Sequence, residues 1–317
     1  MNKDIVRVEE LKKNELDRVI ALFCLVWGDK YSIVEAKTKW AFENPFSKVL
    51  VMKDQDDNII AVRGGIEWPL QYKGEAIKAI QFHGTCVHPD YRRKGFFSLI
   101  NKSFVSLVKE NGFELIFNVS VKASKLGYEK LGWVYLKGFH RLTKIHIFNY
   151  LRRKKQEDIS KYLYNAKNHY VSSELIKIRN KQFDSLTYTK YSKEFMDWRL
   201  SNNEADYCLF TFNGSSIVFK VVDKGNHREL IIGDFFLAKL NFFHFKKILN
   251  ALTRKMKPNM TTTYISEKHP CYRYYLLSLF LPNLLNYHLN FGTKEIDGNI
   301  NISDQTWGSS FLDIDTF

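Results

Sequence analysis

The chain has 317 residues, 45% of them hydrophobic and 26% charged, with 16 glycines and 6 prolines; this composition excludes disordered and collagen-like classes, and the length predicts two compact domains. Its longest apolar stretch, Tyr274 to Leu285, contains Ser278 and is broken by Pro282 and Asn283, short of the roughly 20 apolar residues a membrane-spanning helix requires. The net charge of +14 admits nucleic acid, a membrane surface or an anionic small molecule as partner.

The distribution of that charge separates these classes. Residues 1–150 hold 24 basic and 17 acidic residues, the remainder holds the same numbers, and there is no basic tail. A diffuse positive field suits a phosphate-bearing small molecule at least as well as a polymer, and nucleic acid is the less expected partner. The one dense run, Arg152-Arg153-Lys154-Lys155, falls where the two domains are expected to join and reads as a solvated linker. The N-terminal residues offer no uninterrupted apolar segment, so a cytoplasmic protein without a secretory signal is expected. Cys24, Cys86, Cys208 and Cys271 lie far apart with no C-x-x-C pair, which predicts reduced, mostly buried thiols and no metal site.

Residues 11–27 place Leu16, Val19, Ile20, Phe23 and Val26–Trp27 at helical spacing, and a second helix over 30–44 stops at Asn44-Pro45. Three extended runs follow, Lys48–Lys53, Ile59–Trp68 and Ala76–Val87, separated by turn residues and forming an antiparallel meander. After Pro89 the pattern becomes helical, with Phe96, Leu99, Ile100, Phe104, Leu107 and Val108 on one face and Asn111-Gly112 as the stop. A strand over Glu114–Val119, a helix over Ala123–Leu131 and a strand over Trp133–Ile147 complete the first half. The second half repeats part of this order. Trp40…Asn44 and Trp198…Asn202 share the spacing W-x-x-x-N ahead of strands, and Tyr207–Phe212, Ser216–Val222 and Glu229–Phe236 are then followed by a helix over Phe243–Lys255, a strand over Thr261–Ile265 and a helix over Cys271–Phe280. This is read as a diverged duplication.

The stretch from His83 to Phe97 carries the chemistry: a strand turns through a basic, glycine-containing loop directly into a helix. Amides at a helix N-terminus are unpaired and favour an anion. Arg92, Arg93 and Lys94 add full charges that would oppose the helix dipole unless an anion compensates, and Gly95 lets the backbone approach a phosphate.

Arg92-Arg93-Lys94-Gly95-Phe96-Phe97 resembles the acyl-coenzyme A loop of the GNAT superfamily of N-acetyltransferases, whose pattern is Q/R-x-x-G-x-G/A; the last position here is Phe97. Downstream, Tyr128-Glu-Lys-Leu-Gly132-Trp133 is similar to that family's Y-x-x-x-G-F element. The resemblance covers residues 1–148. The doubled arrangement, with Trp307…Asp313-Ile-Asp315-Thr-Phe317 at its end, resembles two-copy members associated with surface polysaccharides.

The resemblance implies an α/β fold of tandem GNAT-like domains, each a mixed, mostly antiparallel sheet flanked by helices. A catalytic domain over 1–150 would hold acetyl-CoA at a splayed strand pair, and a degenerate domain over 151–317 would shape the acceptor site. Acetyl-CoA is the implied cosubstrate: its pantetheine arm would pair with the backbone at Cys86 and Val87, and its diphosphate would rest on the amides of Arg93 to Phe97. Tyr128 matches the family's acid for the departing thiolate. For the base, His83 shares a strand face with Gln81 and competes with Glu67, whose burial against Trp68 would raise its pKa. Asn118 either binds ligand or closes a turn. No basic glycine turn occurs at Gly233–Asn241, so no second coenzyme is expected, and Trp198, Arg199 and Asp234 stand as exposed acceptor-side candidates. The implied reaction is direct acetyl transfer to the amine of a small molecule, with a nucleotide-linked amino sugar favoured. Other small-molecule or protein amines, tRNA-dependent aminoacyl transfer and a non-catalytic acyl-CoA sensor are the alternatives.

Overall fold

The structure is a computed structural model that describes residues 6–150, 158–165, 167–201, 205–225, 227–282, 290–296 and 307–314. The chain divides into two compact units. The first comprises Met1–Pro69, Ile77–Tyr135 and Phe291–Asn301, the second Leu70–Ala76, Leu136–Asn290 and Ile302–Phe317. The run Arg152–Lys155 and the residue Asn202 lie outside the described residues.

In chain order the elements are β1 (Arg7–Glu10), α1 (Leu16–Trp27), α2 (Tyr31–Phe42), β2 (Ser47–Lys53), β3 (Ile59–Tyr72), β4 (Glu75–Val87), α3 (Phe96–Glu110), β5 (Leu115–Ser120), α4 (Lys122–Glu129) and β6 (Val134–Tyr135). There follow β7 (Phe139–Ile145), α5 (Ile147–Tyr150), α6 (Ser173–Lys181), β8 (Thr187–Thr189), α7 (Lys193–Arg199), β9 (Cys208–Phe212), β10 (Ser215–Lys224) and β11 (His227–Phe236). The last are α8 (Phe242–Met256), β12 (Met260–Ser266), α9 (Tyr272–Leu277), β13 (Leu281–Pro282) and β14 (Asn290–Glu295).

In the first unit the periodicities read from the sequence become two packed layers. Leu16, Val19, Ile20 and Phe23 of α1 bury against Val49, Val51 and Val62 on one face of the sheet. Phe96, Ile100, Phe104 and Val108 of α3 bury against Met52, Ile60, Ile80 and Phe82 on the other. β2 and β3 are antiparallel, β4 follows β3 through the Lys73-Gly74 turn, and the crossover through α3 sets β5 parallel to β4. The sequence reading had missed β1, which pairs antiparallel with β2. Glu9 of β1 and Glu15 both hold the buried Lys53 ammonium, so an acidic strand is tied down by an internal cation.

The sheets correct the assignment of strands to halves. β7, expected to close the first domain, pairs with β12 through seven positions from Phe139–Ser266 to Ile145–Met260. In return β14 enters the first sheet, whose order is β1-β2-β3-β4-β5-β14-β6; the second sheet runs β13-β7-β12-β11-β10-β9. Each sheet is therefore completed by a strand from the other half of the sequence. The division falls at Tyr135–Leu136 and returns at Phe291, in place of a single cut at 150.

The second unit repeats the topology. β9, β10 and β11 form an antiparallel meander, and α8 carries the chain to β12, parallel to β11. That parallel ladder stops at Ile231–Thr262, although β11 runs to Phe236 and β12 to Ser266. Here the protein's own side chains bridge the strands. Thr263 Oγ1 donates to Ile232 O at 3.0 Å, and His269 Nε2 lies 3.2 Å from Asp234 Oδ1. Asp234 Oδ2 accepts from Arg179 Nε and Nη2 at 3.1 and 3.0 Å, and the guanidinium stacks on Phe183 and Tyr191. α8 is capped internally, Asn241 Oδ1 accepting from His244 N–H at 2.9 Å.

Asp234 and Arg199 are thus buried, which overturns the expectation that they are exposed. Arg199 donates to Leu312 O, Ile314 O and Tyr207 Oη, while Trp198 is half-buried against Phe195. Burial alone would raise the Asp234 carboxyl; Arg179 and His269 overcome it and hold the group below its ordinary value. Replacing Asp234 by alanine strands a buried guanidinium and should cost about 3–5 kcal/mol. Urea unfolding checks this, and a loss below about 1 kcal/mol contradicts the network's role.

Candidate active site

The site grows from the end of β4. Alternation sends Ile80 and Phe82 into the α3 layer and turns His83 toward the opposite face, where its ring meets the edges of Trp40 and Phe42. Gly84 then takes φ 49°, a left-handed conformation that interrupts the alternation. Consequently Cys86 joins the α1 layer, while Val87 packs with the α3 layer. The parallel ladder between β4 and β5 ends at Gln81–Phe117, yet β4 continues to Val87 and β5 to Ser120. This is the splayed pair that the sequence reading expected. Asn118 is half-buried one residue beyond the last paired position.

The loop that follows is anchored before it becomes basic. His88 N–H donates to Ile60 O at 2.8 Å, and Tyr91 Oη donates to Asp54 Oδ2 at 2.7 Å. Burial would raise the Asp54 carboxyl, but hydrogen bonds from Tyr91, Asn58 and Asp56 outweigh it and keep the group lowered and ionised. Arg93 and Gly95 take φ 65° and 85°, and α3 starts at Phe96 with no side-chain cap. The first helical bond runs from Leu99 N–H to Gly95 O. Among the described residues, the N–H groups of Gly95, Phe96, Phe97 and Ser98 have no acceptor. A Cβ built on Gly95 meets nothing within 4 Å, so its Hα side faces open space.

These pieces bound a cavity of about 440 Å³ lined by Cys86, Val87, Arg92, Arg93, Gly95, Phe96 and Phe97, together with Val26, Thr85 and Tyr91. Seven of the residues expected at the coenzyme line one hollow. Lys94 does not; its Nζ stands 4.9 Å from the Tyr91 ring centroid. Nor does Asn118 line it. Val26 was visible only as part of the apolar stripe that ends at Val26–Trp27, and no sequence signal aims it at the loop. Arg92 Nε reaches back to Val87 O at 3.4 Å, which holds one cation beside the strand end. Phe97, the departure from the family pattern, packs on Gly127: a Cβ there would sit 2.8 Å from the Phe97 ring. A glycine on α4 makes room for the bulk on α3.

The catalytic candidates divide between the two faces of the sheet. Tyr128 is 1% exposed and packs against Phe82, Phe97 and Trp133, touching the cavity's lining through Phe97. Arg63 lies over the Phe82 ring and 5.5 Å from the Tyr128 centroid. His83 is half-buried on the face of α2. Glu67 is exposed, whereas Trp68 is buried against Phe117; neighbours on a strand point to opposite faces, so the burial expected for this carboxyl does not occur. None of the three lines the cavity.

Burial pushes the Cys86 thiol up to about 12, with Arg92 pulling weakly the other way. A thiol with that value stays protonated near neutral pH and is a poor nucleophile, which fits transfer without an acyl-cysteine. Alkylation of Cys86 by iodoacetamide at pH 8 should run at least about tenfold slower than that of free cysteine, and Cys86→Ala should keep its turnover. Fast labelling with loss of activity would contradict both expectations.

Residues 7–136 match the family model for an acetyltransferase (GNAT) domain. Among curated proteins no sequence match is found. Solved structures similar in fold include a probable N-acyltransferase from Enterococcus faecalis (12% identity, TM-score 0.66, covering 93% of this chain and 73% of that one). A GCN5-related N-acetyltransferase from Kribbella flavida matches at 14% identity and TM-score 0.64, over 93% of this chain and 72% of its own. A tandem GNAT protein from the clavulanic acid biosynthesis pathway matches at 9% identity and TM-score 0.53, over 93% of this chain and 100% of its own. At these identities the structural likenesses establish the fold. Residues 7–136 are thus a GNAT acetyltransferase domain, and the chain that carries it is an acyltransferase.

Proposed function

We propose that the chain transfers an acetyl group from acetyl-CoA to the primary amine of a small molecule, with the coenzyme held by the first unit alone. The observation that carries this reading is the joining of the splayed end of β4 to the partnerless amides of Gly95, Phe96 and Phe97 in one cavity that Arg92 and Arg93 also line. Main-chain N–H groups at a helix start suit the diphosphate, the edge of β4 at Cys86 and Val87 suits the amide-bearing pantetheine arm, and the two arginines supply neutralising charge. The second unit has its splay bridged and its helix capped, so it offers no equivalent cradle among the described residues.

In this reading Tyr128 donates a proton to the departing thiolate. The amine proton is taken by His83, by Glu67 or by water. The acceptor we favour is a nucleotide-linked amino sugar for surface polysaccharide; the net charge of +14 supports an anionic acceptor over a polyamine or an aminoglycoside. Thiol release from acetyl-CoA, measured with sugar nucleotides, free amino sugars, polyamines and lysine peptides, tests it. Turnover with an amino sugar nucleotide supports the assignment. Coenzyme binding with no turnover on any amine favours a sensor instead.

A further inference from the structure

The turn that ends α9 sends its leucines outward. From Leu277 to Leu281 the chain alternates: Ser278 and Phe280 are buried, Phe280 against Tyr275, while Leu277, Leu279 and Leu281 are 63%, 74% and 53% exposed. Leu276 is exposed as well. Leu279 has φ 65°, and the bonds from Leu279 N–H to Leu276 O and from Phe280 N–H to Tyr275 O close the helix end around it. Glycine is the usual occupant of such a left-handed position, and a leucine there is strained. No burial of its side chain offsets that strain. A strained residue kept in an exposed apolar turn points to contact with something outside the chain.

The charge around the turn identifies the partner. Residues 235–290 hold eight lysines and arginines and one acidic residue, Glu267, so they carry +7, the whole excess of the second half of the sequence. Arg273 is exposed on α9, one turn before Leu276 and Leu277. From β7, Lys144 Nζ donates to Ser278 O at 2.8 Å, and burial together with the nearby charge of Lys246 lowers that ammonium from its ordinary value. We propose that this turn docks on the surface of an anionic lipid bilayer, with Leu277, Leu279 and Leu281 entering the acyl boundary and Arg273 and Lys246 facing the headgroups. A bilayer needs no matching groove to receive projecting leucines, and its negative surface attracts this sign of charge. A second copy of the chain would bring the same positive field against itself. Nucleic acid is held by phosphate contacts and base stacking, to which leucines add nothing. The contact is peripheral: among the described residues no helix is long and apolar enough to cross a membrane.

Sedimentation of the full chain with lipid vesicles tests this. Vesicles of phosphatidylcholine mixed with phosphatidylglycerol should bind it at least about tenfold more tightly than phosphatidylcholine alone, a preference that shrinks as salt rises. Leu277→Gln combined with Leu281→Gln should weaken binding at least about tenfold, and so should Lys246→Ala combined with Arg273→Ala. Leu279→Gly separates docking from folding. It removes the strain, so the melting temperature should not fall, yet vesicle affinity should drop about tenfold. Equal binding of the two vesicle types, or binding of neither, overturns the inference. Binding that survives in the leucine variants places the contact elsewhere and also overturns it. Light scattering that finds a dimer in the wild type and a monomer in the leucine variants assigns the surface to a second copy, which overturns it too.

Discussion

Replacing Gly95 by valine is expected to abolish coenzyme binding while the protein stays folded. Two effects act together. Gly95 has φ 85°, a conformation that costs a residue with a side chain roughly 1–2 kcal/mol and is worst for a β-branched one. The new side chain would also project into the open space over the helix start, where the diphosphate is proposed to sit. Losing two charge-assisted hydrogen bonds at about 1.5–3 kcal/mol each corresponds to at least about a hundredfold loss of affinity. Calorimetry gives the affinity, and circular dichroism with thermal melting reports the fold. An unchanged affinity would reject the loop as the diphosphate site.

Changing Tyr128 to phenylalanine should lower kcat by about 10²-fold or more, the range ascribed to a positioned proton donor, while the KM for acetyl-CoA stays within about twofold. The substitution keeps the ring among Phe82, Phe97 and Trp133, so packing is preserved and stability should change little. A second readout separates acid catalysis from support. If Tyr128 supplies the proton, the deficit of the variant shrinks with an acyl donor whose thiol is a better leaving group. Full activity with acetyl-CoA would make Tyr128 a core residue and no more.

The loop and the helices around it were legible because their causes are local. The turn from strand to helix at Pro89–Phe96, the stops at Asn44-Pro45 and Asn111-Gly112, and the apolar stripes all follow from dihedral preference and periodicity within a few residues. The exchange of β7 and β14 between the sheets was not legible. A period of two marks a strand as having a buried face, but it does not say which of two similar sheet edges the strand joins. β1 escaped because Arg-Val-Glu-Glu has one apolar residue and is held by a buried lysine 44 positions from Glu9. Arg199 and Asp234 were misjudged for a related reason: charged residues are rarely buried unless paired, and the Arg179 partner of Asp234 lies 55 positions away. The glycine at 84 did carry a signal, since an isolated glycine inside a strand marks a bulge or close approach, and it is this residue that brings Cys86 to the α1 layer.

A crystal structure of the full chain grown with CoA tests the central claim most directly. The account predicts diphosphate oxygens within about 2.7–3.2 Å of the main-chain nitrogens of Gly95, Phe96 and Phe97, with the pantetheine arm running along β4 at Cys86 and Val87. Coenzyme density away from this loop, or a loop whose amides turn inward to protein carbonyls while coenzyme binds elsewhere, would contradict it.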